Sequence, residues 1–175
     1  YPILNNLAVI YREQGRLGEA IEAGRRVIAL APSFVFGYYN LAHALFLSGR
    51  FADAREMYED AQQRDPQKNA VQAGRLAVVR AATGDGARAA ADMRAVLDRA
   101  PADVRRRIAD EAAATLEALG AVPQIEASAL EPIRAHRVDR SPVCGRRPEG
   151  PPVVESRLLG DLRDRLTERR LARSG

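Results

Sequence analysis

The chain has 175 residues, 46% of them hydrophobic and 29% charged, and a formal net charge of +4. That balance gives a soluble chain with room for one domain and additional segments. No apolar run approaches the 18 or so residues that cross a bilayer, and the first residues lack the succession of charged, apolar and small residues that marks a secretion signal.

From Leu4 to Pro101 one pattern is written three times at a period of 34 or 35 residues. Gly15, Gly49 and Gly84 mark the same point in each copy, followed by Ala20, Ala54 and Ala89 and then Pro32, Pro66 and Pro101. Leu7-Ala8, Leu41-Ala42 and Leu76-Ala77 stand eight residues before each glycine. A fixed period of this length means stacked copies of one supersecondary unit, each too small to bury its own apolar face.

Each copy reads as two helices. In the first copy, Leu4, Leu7, Ala8 and Tyr11 follow the three-and-four spacing of one helical face. Gly15 then supplies the positive φ at which such a helix stops. Ala20, Gly24, Val27 and Ile28 give a second helix its inner face, and Pro32 closes it. The second copy repeats this with Tyr38, Leu41, Ala42 and Leu45, then Phe51, Ala54, Tyr58 and Ala61. The third has Leu76 and Ala77, then Ala89, Met93 and Val96. The spacing predicts helices over residues 2–14, 18–31, 36–48, 52–64, 71–83 and 87–99. The alanines fall where two helices cross and a longer side chain would separate the backbones.

In register and residue type these three copies resemble the tetratricopeptide repeat, over about residues 1–103. The departures are Gly24 in place of an aromatic residue, Arg80 and Gly86 in place of apolar ones, and Asn69 as an extra linker residue. The expected architecture is therefore an all-α solenoid whose repeats cover 1–34, 35–68 and 70–103, within a domain ending near residue 122.

Beyond Pro101, residues 103–119 form one more amphipathic helix, with Val104, Ile108, Ala112, Leu116 and Leu119 on one side. It is expected to cap the solenoid with a polar outer face. Residues 123–152 hold Pro132, Pro142, Pro148, Pro151 and Pro152 among dense charge, and are expected to be disordered. Residues 153–175 recover helical spacing in Leu158, Leu162 and Leu166, as a basic terminal helix or tail. The positive excess lies in this last part: residues 1–130 carry 16 basic and 16 acidic side chains, whereas 131–175 carry 11 arginines against seven acids. Nucleic acid is not the expected partner of this tail, because the acids dilute its charge and no aromatic residue is present to stack on bases.

Catalytic constellations are missing. His43, His136 and Cys144 are the only residues of their kinds, and none is paired with a partner at the spacing of a nucleophile and its base. No cofactor or metal is expected. The single cysteine excludes an internal disulfide and fits a reducing, cytoplasmic setting. The chain opens at Tyr1 without a methionine, so a fragment or processed form is expected, with upstream repeats or an export signal possible.

The resemblance implies that the first helix of each repeat lines a concave surface on which an extended peptide lies. The groove-lining set is Asn5, Asn6, Val9, Arg12 and Glu13, then Phe36, Tyr39, Asn40, His43 and Phe46, with Val71, Gly74, Arg75 and Val78 in the third copy; of these, Asn5, Asn6, Val9, Phe36, Tyr39, Asn40, His43, Phe46 and Arg75 are the candidate binding residues. Asn6 and Asn40, 34 residues apart, occupy the same place in successive copies, and stacked amides offer a donor and an acceptor to a peptide backbone. The alternative is that each amide bonds only a neighbouring helix. Asn40 and Arg75 also match two positions of the carboxylate clamp by which some co-chaperones hold a peptide C-terminus, while Asn5, Val9 and Val71 do not match the other three. The rings of Phe36, Tyr39, His43 and Phe46 serve either as an apolar anchor or as packing between repeats. The expected function is a non-catalytic scaffold that holds an extended, mostly uncharged segment of another protein. The competing expectation is a substrate-presenting arm of a larger bacterial enzyme, such as a glycosyltransferase or sulfotransferase, whose catalytic domain lies outside this chain.

Overall fold

A computed structural model of the chain describes residues 1–119, 132–133 and 153–174. The described residues are helical, joined by short turns. The helices are α1 (Pro2–Glu13), α2 (Leu17–Leu30), α3 (Val35–Leu47), α4 (Phe51–Arg64), α5 (Ala70–Ala82), α6 (Gly86–Arg99), α7 (Ala102–Ala118) and α8 (Val153–Ser174). The six repeat helices expected from the spacing are all present, with ends within about two residues of expectation.

The repeat is visible in the backbone itself. Gly15, Gly49 and Gly84 have φ of 76°, 82° and 86°. At the first, the N–H of Gly15 bonds the carbonyl of Arg12 and the N–H of Arg16 reaches back to that of Tyr11. The same two bonds run from Gly49 to Phe46 and Arg50 to Leu45, and from Gly84 to Ala81 and Asp85 to Arg80. This is the Schellman closure, in which a left-handed residue turns the chain back and satisfies the last carbonyls of a helix. Three copies of one turn in three sequence-equivalent places follow from the same local requirement: only glycine reaches that φ without a Cβ penalty.

The contacts divide the chain into Tyr1–Gln72 and Ala73–Gly175. In the first unit α1 packs on α2, α2 on α3 and α3 on α4, and α1 also meets α3. Helix α3 is central to this unit, and ten of its thirteen residues are buried. Its N-terminal turn approaches α2 so closely that a Cβ on Gly37 would lie 2.8 Å from Val27 Cγ1. Ala20, Ala42, Ala54, Tyr58 and Val27 are almost completely enclosed, and the hydroxyl of Tyr38 donates to the carbonyl of Pro32 at 3.0 Å, tying α3 to the end of the first repeat.

In the second unit Leu76, Ala77, Ala89, Met93 and Leu97 form the matching interior. Helix α7 packs on α6, and α8 packs on α7. A helix is present as α7 where one was expected over 103–119. Of the two forms expected for residues 153–175, helix or tail, Val153–Ser174 is helical, and Leu158, Leu159 and Leu162 are buried. The physical reason is the leucine cluster at the start of α8, which gives the helix an apolar stripe to cover. Pro132 and Ile133 are also helical and buried; the remainder of 123–152 lies outside the described residues. Among the described residues, no helix is long and apolar enough to cross a membrane.

Candidate functional site

The surface to consider is the one that α1 and α3 present side by side in the first unit. Residues four apart on a helix share a face, which sets Tyr1, Asn5 and Val9 in one row and Phe36 and Asn40 in the next. Asn40 Nδ2 donates to Asn5 Oδ1 at 2.9 Å, joining the rows. Asn40 thus makes the bond to a neighbouring helix that is the alternative to an open amide, and Asn6 is exposed. The Asn40 amide reaches the residue 35 positions back instead of 34, on the neighbouring helix α1. The Asn5 amide nitrogen and the Asn40 carbonyl oxygen have no further partner among the described residues, so one donor group and one acceptor stay open.

Rings continue the surface. Tyr1 and Phe34 have centroids 5.1 Å apart, Phe34 and Phe36 6.0 Å, and Phe36 and Tyr39 6.5 Å. Phe36 is 55% exposed and Tyr1 54%. Sequence reasoning passed over Tyr1 and Phe34, although the four-residue offset of Tyr1 from Asn5 repeats that of Phe36 from Asn40 and was the signal that would have found it.

The other rings of the expected cluster face inward. Tyr39, His43 and Phe46 are all buried. Tyr39 leans on Tyr58 at 6.2 Å and Phe46 on Phe51 at 5.5 Å, so α3 spends these two rings on packing against α4. Val9 is half-buried on α1. The Tyr39 hydroxyl donates to Asp65 Oδ2 at 2.9 Å, just beyond the end of α4. Burial, then this bond and the neighbouring carboxylate, push the phenol above its ordinary range. Burial alone would raise Asp65 as well, but the N–H of Asn69, the Tyr39 hydroxyl and the N–H groups of Gln67 and Lys68 outweigh it and hold the carboxyl low. Asp65 thereby fixes a turn in which Lys68 takes a φ of 49°, and Asn69 Oδ1 accepts from Val71 and Gln72 at the start of α5.

Arg75 belongs to the second unit, where its Nε donates to Glu111 of α7. Its charge is used within that unit, a pairing that the repeat spacing gave no sign of because Glu111 lies outside the repeats. A shallow cavity of about 360 Å³ lies among α2, α3 and α4, floored by Ile28, Leu41, Leu45 and Met57. Its rim carries charges of both signs, which select no ligand class. Among the described residues no three metal-ligating side chains gather; His136 and Cys144 lie outside the described residues. Amides and rings of this kind bind and orient, and they supply no nucleophile or base.

The sequence profile of the family described as Tetratricopeptide repeat matches residues 11–77. A relative, the small glutamine-rich tetratricopeptide repeat-containing protein 2 of Mycosarcoma maydis, is 31% identical over 70 residues, which cover 40% of this chain and 20% of the relative. The chain thus spans about a fifth of that relative's length.

Proposed function

Because the chain carries tetratricopeptide repeats, matched over residues 11–77, a family that generally mediates contacts between proteins, we propose that it is a non-catalytic scaffold. Its α1–α3 surface holds an extended segment of another protein. The observation that carries this reading is the exposed Phe36 ring set four residues before Asn40, whose amide is braced by Asn5 and keeps an acceptor open. A ring in that position supplies the apolar anchor on which peptide interfaces depend, and the open amide groups match the donors and acceptors of an extended backbone.

The earlier candidates divide accordingly. Phe36, Asn5, Asn40, Asn6 and Val9 contact the segment. Tyr39, His43 and Phe46 hold α3 in place beneath it. The test is affinity capture with the intact chain and its Phe36→Ala variant. Capture is expected to fall at least about tenfold in the variant, with helix content and melting temperature unchanged because the ring is more than half exposed. A variant that binds as well as the parent ends the proposal. One that unfolds assigns the ring to the core.

A further inference from the structure

The α1–α3 surface is an uncharged island in a charged protein. From Pro2 to Tyr11, and again from Val27 to Gly49, the chain has no Asp, Glu, Lys or Arg, although 29% of its residues are charged. The first run covers nearly all of α1, and the second covers the end of α2 and the whole of α3. Every side chain of the two rows described above comes from these runs except that of Tyr1, which directly precedes the first. A peptide lying across the middle of this surface meets rings and amides and no charged side chain; Glu13, one turn beyond Val9, and the α-amino group of Tyr1 stand at the two ends of the α1 row.

The one cation that the repeat positions offered for a terminal carboxylate is Arg75, and Glu111 holds it. Its side chain and that of Glu111 are both about four-fifths covered. Freeing the guanidinium would strand a carboxylate, and stranding a charge that is four-fifths covered costs more than one exposed contact returns. A chain end carries a full negative charge that neither Asn5 nor Asn40 can neutralise. An internal segment carries only the alternating N–H and C=O groups that this amide pair complements.

We infer that the surface selects an internal segment of its partner: extended, uncharged, and bearing an aromatic or branched aliphatic side chain. That side chain lies against Tyr1, Phe34 and Phe36, four residues along each helix from the amides that hold the segment's backbone. The inference rests on the scaffold reading above and narrows its partner class. Charge enters as exclusion: an acidic or basic residue placed on the island would be desolvated with no counter-ion.

The experiment uses two displayed libraries of random 12-residue peptides, one embedded between carrier domains and one ending in a free carboxylate. Both are selected on the intact chain, with Phe36→Ala and Asn40→Asp variants as counter-selections. Enrichment from the embedded library of uncharged sequences with an aromatic or branched residue, lost at least about tenfold on both variants, supports the inference. Asn40→Asp keeps the size of the side chain but adds a charge and replaces the Nδ2 that donates to Asn5 with an acceptor, so it tests the surface independently of a Phe36→Ala variant that fails to fold. Enrichment of acidic free C-termini that depends on Phe36 overturns the inference while leaving the scaffold reading standing. Enrichment independent of Phe36, or none in either library, overturns both.

Discussion

The two units solve one packing problem with different chemistry. In the first, the turn after α3 is followed by Met57 on α4, and Leu45 and Met57 stand at equivalent places to Arg80 on α5 and Asp92 on α6 in the second. Two apolar side chains have become an ion pair in which Arg80 Nη1 meets Asp92 Oδ2, with the arginine 8% exposed. The amide pair Asn5–Asn40 likewise has its counterpart in the charged pair Arg75–Glu111. The backbone turns are the same in both units, down to the two hydrogen bonds at each glycine. The repeat therefore specifies a backbone path, and leaves the side chains free to hold it by burial or by charge.

That comparison can be broken most severely in the first unit. Leu41 is buried at the crossing of α2 and α3, with its Cβ 3.1 Å from where a Cβ on Gly24 would lie. Leu41→Ala removes atoms that nothing nearby can replace, and is expected to cost about 2–5 kcal/mol in urea unfolding. A smaller loss would mean that the helices around Gly24 close over the gap.

The second unit is expected to be sensitive to charge instead. Asp92→Ala weakens the hold on a buried guanidinium and should cost about 1–3 kcal/mol. Asp92 is itself a third exposed, which keeps the figure below that of a fully buried pair. Transplanting the apolar solution, as Arg80→Leu with Asp92→Met, should restore stability to the parent level or above it. If the double variant is as unstable as the single one, the pair does more than replace its apolar counterpart.

The turns should respond alike wherever they stand. Alanine at Gly15, Gly49 or Gly84 forces a Cβ into left-handed backbone, for about 1–2 kcal/mol each. Three equal losses in melting experiments would bear out one turn used three times. A loss at only one or two would show that the copies differ in more than side chains.

The smallest effect is expected with pH. The Asp65 carboxyl is held below its ordinary value in the folded chain, so it contributes stability above about pH 4 that is lost as pH falls through the folded value. Tyr39 is shifted upward, so its contribution is present below about pH 10 and is lost as pH rises toward the folded value. Tyr39→Phe should remove the alkaline decline in urea midpoint and weaken the acid one. An unchanged alkaline limb would mean that another group titrates there.

The sequence was a sound guide to every feature that depends on neighbours along the chain. Glycine at a fixed interval dictated where helices end, because a left-handed residue is a local requirement. Alternating large and small residues at three-and-four spacing dictated which helices pair. The identity of the exposed ring was not legible, and α3 shows why. A helix apolar on nearly every side has little polar face against which to read its orientation, so Phe36, Tyr39, His43 and Phe46 look equivalent until packing buries the last three. The partner of Asn40 was hidden for a related reason. The period places Asn6 opposite it, but across the contact of α1 with α3 the amide bonds Asn5 instead. Arg75 found Glu111 outside the repeats altogether. Local chemistry thus fixed the path of the backbone. Which side chains remain open to a partner was decided only when the helices packed, because exposure belongs to the assembled surface and not to any one segment.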